Sequence, residues 1–223
     1  MSAIPARVVR PRLTPDAIVA SAFALADREG LEAVTIRRLA QDHQVTPMAL
    51  YRHVRDKDAL IDGMAERLLA SIRLPEAGSG PWHAEMHRLL EAFVDALRAH
   101  PSIAGLVVTR TLGSNPGLAL AERVLALLRT AGFNPEQAAE AGTYALCSLA
   151  AWVATEGGPD LEPEARDAAL RQRKATLSAL SPRRYPNIID AAGTLAHGAG
   201  EPAFYQLGIR LVVAGLRALQ PGD

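Results

Sequence analysis

Short and cationic side chains gather between positions 35 and 57 of this 223-residue chain. Short side chains on a helix can reach the edges of bases in a major groove, while arginine and lysine can pair with guanine or with phosphate. The side chains expected to project outward are Thr46, Met48, Ala49, Arg52 and His53, bracketed by the cations Arg37, Arg38, Arg55 and Lys57. This chemistry favours binding to double-stranded DNA.

Two short helices joined by a three-residue turn would position these side chains. Thr35 is placed to cap the first helix, residues 43 to 45 form the turn, and Thr46 with Pro47 opens a second helix that ends near His53. The residues that would pack the two helices together are Leu39, Ala40, Val45 and Leu50. The pattern predicts a helix-turn-helix.

Apolar residues recur at helical spacing along the rest of the chain, and alternating runs typical of strands are nearly absent. We therefore expect an all-α fold. Thr14 and Pro15 begin a first helix over 15–29 that Gly30 ends, and Asp56 caps a longer helix over 56–72. Further helices are predicted near 82–99, 102–111, 116–131, 135–156, 163–180, 186–197 and 202–219.

The polar, Pro- and Gly-rich stretch 74–81 predicts a domain boundary. We expect a flexible basic arm at 1–13, carrying three arginines, and an N-terminal three-helix helix-turn-helix domain at 14–73. A linker loop at 74–81 would then lead to a larger helical domain at 82–223.

Composition excludes several classes of protein. With 49% hydrophobic and 22% charged residues the chain is typical of globular proteins, and no apolar run reaches the roughly 18 residues of a membrane-spanning helix. The single Cys147 favours a reducing cytoplasm. The net charge of zero divides into +3 over residues 1–57 (nine basic, six acidic) and −3 over the remainder, so the front of the chain suits a polyanion.

Two strings of residues resemble a known family. Gly-Leu-Glu-Ala-Val-Thr-Ile-Arg-Arg-Leu-Ala at 30–40 and Leu-Tyr-Arg-His-Val-Arg-Asp-Lys at 50–57 are similar to the DNA-binding domain of the tetracycline-repressor family. Glu201-Pro202-Ala203-Phe204, followed by Gly208 and Gly215-Leu216, resembles the last helix of its C-terminal domain. The resemblance is weakest over 158–200.

The resemblance implies a ligand-responsive transcriptional regulator, most often a repressor, that binds a palindromic operator as a homodimer. In the family, the positions of Tyr51 and Lys57 contact phosphate, that of Arg37 reaches the groove edge, and the outward positions of the recognition helix face bases. The DNA-binding residues so predicted are Thr35, Arg37, Thr46, Pro47, Met48, Ala49, Tyr51, Arg52, His53 and Lys57. Alternatively, Tyr51 wedges between helices and the arginines are merely solvated.

The last helix is apolar on both sides, which favours a subunit interface. With the Ala-rich helix 135–154 it predicts a two-fold four-helix interface, as the family generally has. The predicted interface residues are Phe204, Gly208, Leu211, Val212, Gly215 and Leu219. The alternative is that these helices fill the core of a large monomer.

The remaining helices of the larger domain are expected to enclose a small apolar or amphipathic effector. Candidate walls are Leu68, Leu89, Phe93, Val107, Tyr144, Cys147 and Trp152, each of which could instead be core. Tetracycline is disfavoured, because Val107, Leu89 and Arg73 stand where that repressor has a magnesium-binding histidine and polar drug contacts. An effector would act by shifting the DNA-binding domains of the dimer between two arrangements, and the helix 56–72 would transmit this movement.

Other classes of function have little support in the sequence. His83 and His87 have a metal-compatible spacing, but Ala84 stands where a zinc protease has glutamate, and Cys147 with Ser148 lacks a histidine partner. We expect no cofactor, no metal, no membrane partner and no enzymatic activity. The alternatives retained are a non-specific DNA-binding protein, a small-molecule carrier and, last, an enzyme acting on a small molecule.

Overall fold

A computed structural model describes residues 13–76, 78, 80–156, 163–197 and 202–221. Within these ranges every regular element is a helix, as predicted. The described residues form two compact units, one up to Met64 and one from Ala65 onward. The division falls inside a helix rather than at the loop 74–81, and the arm at 1–13 lies outside the described residues except for Leu13.

The smaller unit contains the predicted helix-turn-helix. Helix α1 spans Pro15–Glu29, a short 3₁₀ turn covers Leu31–Ala33, α2 spans Ile36–Asp42, α3 spans Pro47–Tyr51, and α4 spans Lys57–Ser71. The Thr14 and Thr35 hydroxyls each accept a hydrogen bond from the backbone N–H three residues on, at 3.1 Å. The expected capping by these residues is therefore confirmed. Thr46 makes no such cap, and α3 ends two residues earlier than expected.

The core of the smaller unit fixes the short helices. Leu39 of α2 and Leu50 of α3 are completely buried, as predicted, together with Ile18, Leu25 and Leu60 from the flanking helices. Helices α1 and α4 approach closely at Gly63, where a Cβ atom would lie 2.8 Å from Val19 Cγ2. The turn before α3 includes Gln44, at φ +55°. A five-residue helix is not stable alone, so α3 depends on this packing.

The larger unit contains nine described helices beyond α4. They are α5 (Trp82–Arg98), α6 (Pro101–Ala104), α7 (Leu106–Arg110), α8 (Asn115–Thr130), α9 (Pro135–Glu156), α10 (Pro163–Ser178), α11 (Pro186–Asp190), α12 (Ala192–His197) and α13 (Pro202–Ala218). The helices predicted at 102–111 and 186–197 are each interrupted, at Gly105 and Ala191 respectively. The other predicted boundaries lie within two residues of those observed.

Long-range polar contacts hold the helices of the larger unit in register. The buried Glu85 of α5 accepts a hydrogen bond from Arg123 of α8 at 3.0 Å. Glu91 of α5 likewise accepts from Gln206 of α13 at 3.0 Å. At the start of α9, Asn134 and Gln137 bond reciprocally to each other's backbone N–H, which forms a capping box. The first two contacts hold α8 and α13 against α5, and the third fixes the start of α9.

Candidate nucleic-acid interface

The predicted DNA-binding side chains lie on the surface of the smaller unit. Met48 is 71% exposed and Tyr51 47% exposed, and Ala49 is half-buried. The remaining members are exposed, namely Thr35, Arg37, Thr46, Pro47, Arg52, His53 and Lys57. The structure thus brings the set together on and around α2 and α3, as the sequence pattern required.

A shallow groove of about 390 Å³ runs beside the start of α3. Its walls include Arg37 and Gln41 of α2 together with Pro47 and Tyr51 of α3. Tyr51 therefore forms part of a wall and is also accessible. Gln41 was missed from the sequence, although its position four residues after Arg37 places both on one face of α2.

Arg38 is not available for phosphate in the way that the sequence suggested. Its guanidinium donates two hydrogen bonds to the carboxylate of Glu29, at 2.8 and 3.0 Å, and a third to Asp42 at 3.2 Å. The hydrogen bonds that Arg38 donates to Asp42 and then to Glu29 raise the pKa of Arg38 above its already high usual value. Arg38 thus connects α2 to the end of α1 and helps to position α2.

A carboxylate caps the helix that carries Lys57. Asp56 Oδ1 accepts the Ala59 N–H at 2.7 Å, and Asp56 Oδ2 accepts from Arg55 Nε at 2.7 Å. The hydrogen bond from Ala59 and then that from Arg55 hold the pKa of Asp56 below its usual range. The predicted cap is confirmed, while Arg55 is engaged with Asp56 rather than free to bracket a groove.

In the larger unit a groove of about 710 Å³ runs along α9 and α13. Large apolar side chains stand exposed along it, with Tyr144 74%, Leu211 60% and Leu219 70% exposed. Val212 and Gly215 also line this groove, and a Cβ atom on Gly215 would meet nothing within 4 Å. Four of the six predicted interface residues therefore share one accessible apolar face.

The two other predicted interface residues contact Trp152 of the same chain. Gly208 is buried, and a Cβ atom there would overlap the Trp152 ring. Phe204 packs edge-on against that ring, with centroids 5.8 Å apart. Gly208 therefore allows a close approach between α9 and α13 of one chain, and its place in a subunit interface stays a prediction.

A smaller cavity of about 280 Å³ lies on the opposite side of α9, between α7, α8 and the turn Thr111–Gly113. Its walls are mostly apolar and include Leu112, Ala121, Leu146 and Cys147. Thr109, Thr111 and Thr143 add hydroxyl groups, and that of Thr111 donates to the Val107 carbonyl at 2.6 Å. The site could therefore accept a small, largely apolar molecule with a few polar atoms.

Comparison with known proteins identifies the family. Residues 74–220 match the profile described as "Tetracyclin repressor-like, C-terminal domain", and residues 18–64 match that of "Bacterial regulatory proteins, tetR family". The chain belongs to the tetracycline-repressor family. It is therefore a ligand-responsive, DNA-binding transcriptional regulator.

Several relatives span most of the chain. An HTH-type transcriptional regulator of Saccharopolyspora erythraea is 31% identical, over 94% of this chain and 86% of that protein. The class C tetracycline repressor protein of Escherichia coli is 28% identical, over 94% and 93%. The crystal structure of ActR from Streptomyces coelicolor in complex with actinorhodin has a TM-score of 0.79 and 29% identity, over 93% of this chain and 97% of that chain.

The residues predicted to line the effector site of this tetracycline-repressor family member lie in three different places in the structure. Leu68, Leu89, Phe93 and Val107 are completely or almost completely buried and belong to the hydrophobic core of the larger unit. They line neither the α9–α13 groove nor the smaller cavity, and their role as walls of an effector site stays a prediction. Tyr144 and Trp152 line the groove, and only Cys147 lines the smaller cavity.

The histidines of α5 form no metal site in the described part of the chain. His87 Nδ1 lies 3.3 Å from Glu91 Oε2, one turn further along the helix. No group of three or more metal-binding side chains occurs among the described residues. In the same ranges, no helix has the length and apolarity needed to cross a bilayer.

Replacing Asp56 tests the cap of α4. Because the folded state lowers the pKa of this carboxyl, its contribution is present above about pH 4 and is lost as the pH falls through the folded pKa. Asp56→Ala should lower the urea midpoint at pH 7, and Asp56→Asn should lower it less, since an amide oxygen still caps. Far-UV circular dichroism in urea at pH 7 and pH 3 measures both.

The matched control is Glu32→Gln, an exposed acidic residue in the 3₁₀ turn. Its midpoint should follow that of the unchanged protein at both pH values. The cap interpretation fails if the difference between Asp56→Ala and the unchanged protein is as large at pH 3 as at pH 7.

Proposed function

We propose that this regulator is a repressor that binds a palindromic operator as a homodimer and is released by a small apolar or amphipathic effector. The observation that carries the proposal is the exposed row of short, apolar and cationic side chains on and around α3, held outward by buried Leu39 and Leu50. Such a regulator acts where the chromosome is, which makes the cytoplasm its compartment.

The DNA contacts follow from the chemistry of the exposed residues. Arg52 is suited to bidentate pairing with guanine O6 and N7, and the Thr46 hydroxyl is not used for capping α3. Lys57, at the start of α4, and the Tyr51 hydroxyl would contact phosphate and set the register. Arg37 and Gln41 would lie at the groove edge beside Tyr51.

Salt dependence distinguishes the two proposed phosphate contacts. Lys57→Ala should weaken operator binding and reduce the slope of log affinity against log salt by about one unit, because one fewer counterion is released. Tyr51→Phe removes only a neutral hydroxyl, so affinity should fall several-fold with the slope unchanged. Fluorescence anisotropy of a labelled operator between 50 and 300 mM salt measures both quantities.

Lys174→Ala serves as the control for Lys57→Ala, since Lys174 is an exposed lysine of α10 in the larger unit. It should change neither affinity nor slope. Unchanged affinity and slope in Lys57→Ala would rule out the proposed docking of α4 on the backbone.

The α9–α13 groove supports dimerisation through a second copy of the chain. An exposed apolar face of this size is uncommon on a stable monomer and typical of a subunit interface. Two-fold pairing of α9 and α13 would make a four-helix interface in which each α13 meets its equivalent. Dimerisation matters for binding because two reading helices must reach half-sites about 34–36 Å apart, or a multiple of that distance.

A charge in the groove should dissociate the dimer. Leu211→Asp places a carboxylate at an exposed apolar position of α13, where pairing would bury it without a partner. We expect monomers at micromolar concentration by analytical ultracentrifugation and a loss of operator affinity of at least about 100-fold. Leu118→Asp, on an exposed leucine of α8 outside the groove, should remain dimeric. Monomers of the unchanged protein would contradict the proposal.

The smaller cavity beside Cys147 is the proposed effector site. Its apolar walls and threonine hydroxyls suit an amphipathic molecule, and its location leaves the α9–α13 groove free for a second subunit. The related ActR has been crystallised in complex with actinorhodin, which supports a small-molecule effector here. To release DNA, the effector must bind the arrangement that does not bind DNA more tightly, since equal affinity for both shifts nothing.

Filling the cavity should block release without blocking repression. Ala121→Trp places a bulky side chain in the wall formed by α8, whereas Ala126→Trp places it on the exposed face of the same helix. A gel-shift screen of amphipathic compounds, with actinorhodin as the first probe, would find a releasing compound. Ala121→Trp should then need at least about tenfold more compound, and Ala126→Trp an unchanged amount. Equal sensitivity of both variants would exclude this cavity.

Two other functions make different predictions. A non-specific DNA-binding protein would lose affinity equally on all sequences as salt rises, whereas an operator-specific protein keeps a preference. An enzyme acting on a small molecule would need a set of acid, base or nucleophilic groups. Among the described residues that line the smaller cavity, the nucleophilic thiol is that of Cys147, whose sulfur lies 4.0 Å from the Val108 carbonyl oxygen, and no histidine is among them. The related class C tetracycline repressor of Escherichia coli is a repressor, which supports repression over both alternatives.

A further inference from the structure

The centre of the recognition helix presents an apolar side chain to the position that DNA would occupy. Among the described residues of the smaller unit, Met48 is the most exposed large apolar side chain, at 71%. Its neighbour Pro47 is also exposed, and the next residue, Ala49, is half-buried. Leu50, two residues further along, lies on the opposite face of α3 and is completely buried. The exposure of Met48 therefore follows from its register on the helix.

Apart from Tyr51, whose hydroxyl is proposed to contact phosphate, the hydrogen-bonding side chains of this surface lie at its two ends. Thr46 precedes α3, and its hydroxyl makes no capping bond; Arg52 and His53 follow the last residue of α3. Thr46 and Arg52 are six residues apart, which at a rise of about 1.5 Å per residue is roughly 9 Å, or two to three base-pair steps. One or two base pairs between the polar contacts would therefore face Pro47, Met48 and Ala49, which have no side-chain hydrogen-bond donor.

Only one base offers an apolar group in the major groove. Thymine presents its C5 methyl group, whereas guanine, adenine and cytosine present only donors and acceptors there. A methionine placed over a polar base edge removes water without replacing its hydrogen bonds, which is unfavourable. The same side chain over a thymine methyl buries two apolar groups, and its flexible thioether adapts to the contact.

We propose that Met48 reads a thymine C5 methyl group near the centre of each operator half-site, between the bases contacted by Thr46 and Arg52. The inference rests on the proposed operator binding and adds a specificity-determining residue to it. Met48 thereby selects thymine over cytosine by an apolar contact, in a segment where hydrogen-bond readout is absent.

Removal of single methyl groups tests the proposal directly. The probe is a duplex selected from a random-sequence library by the full-length protein, in which each thymine of a half-site is replaced in turn by deoxyuridine. One position should weaken binding by about fourfold, and replacement at both symmetric positions by about sixteenfold, as expected for burying one methyl group at each. Fluorescence anisotropy at fixed salt measures these changes.

A variant assigns the lost contact to Met48. Met48→Ala should bind the thymine and deoxyuridine duplexes within about 1.5-fold of each other, so the two changes are not additive. Leu118→Ala, on an exposed leucine of the larger unit, should keep the fourfold difference. Changing the same thymine to cytosine should weaken binding, and 5-methylcytosine should recover about fourfold with the unchanged protein but not with Met48→Ala.

The possible outcomes distinguish failure of the methyl contact from failure of the proposed operator binding. If the protein selects no duplex and binds none specifically, the proposed function fails and the inference fails with it. If it binds its selected duplex but no thymine is sensitive to loss of its methyl group, only the inference is overturned. The inference is also overturned if Met48→Ala keeps the same sensitivity while circular dichroism shows that the variant is folded.

Discussion

The reading surface depends on the buried contact between α2 and α3. A five-residue helix has too few internal hydrogen bonds to persist alone, so its orientation is set by the side chains beneath it. Leu39 and Leu50 are completely buried at this contact, and Arg38 fixes the other side of α2 to Glu29 at the end of α1. This packing decides which residues of α3 face outward, and hence which can meet DNA.

The exposed Arg38 ion pairs are worth little as isolated contributions to stability, because water and salt screen such charges. Their bidentate geometry nevertheless restricts the rotation of α2 relative to α1. Arg37, the adjacent residue, then points to the groove beside Tyr51. Two neighbouring arginines in the sequence thus have different roles, one positioning the helix and one available at the surface.

Local signals in the sequence were sufficient for the architecture of the smaller unit. Thr14, Thr35 and Asp56 act as caps, and Gly30 ends α1 with a positive φ of 85°, because capping chemistry and left-handed backbone are decided by the residue itself and its near neighbours. The exposed set on α2 and α3 followed from helical periodicity. Gln41 was missed because its position beside Tyr51 depends on the angle between two helices.

In the larger unit, periodicity predicted where the helices lie but could not predict what covers each apolar face. Leu89 and Phe93 have the same pattern whether they fill a core or line a cavity, and the structure places them in the core. Gly208 has the same permissive backbone whether it meets a partner or a tryptophan of its own chain. Such distinctions depend on contacts more than 50 residues apart, as between Trp152 and Gly208, which no local pattern records.

Helix α9 connects the two sites proposed in the larger unit, since one side of it lines the α9–α13 groove and the other lines the smaller cavity. Tyr144 and Cys147, less than one helical turn apart, belong to different sides. Gly142 lets α9 approach α8 so closely that a Cβ atom would lie 2.9 Å from Val124 Cγ1. Because such tight packing leaves little room for a side chain to yield, a ligand that displaces α8 must also displace α9.

The free energy available for that displacement is the difference in effector affinity between the two arrangements, and a full switch needs about a 10⁴-fold difference. An effector that only fills the cavity, without favouring one position of α9, would therefore bind and leave the operator occupied.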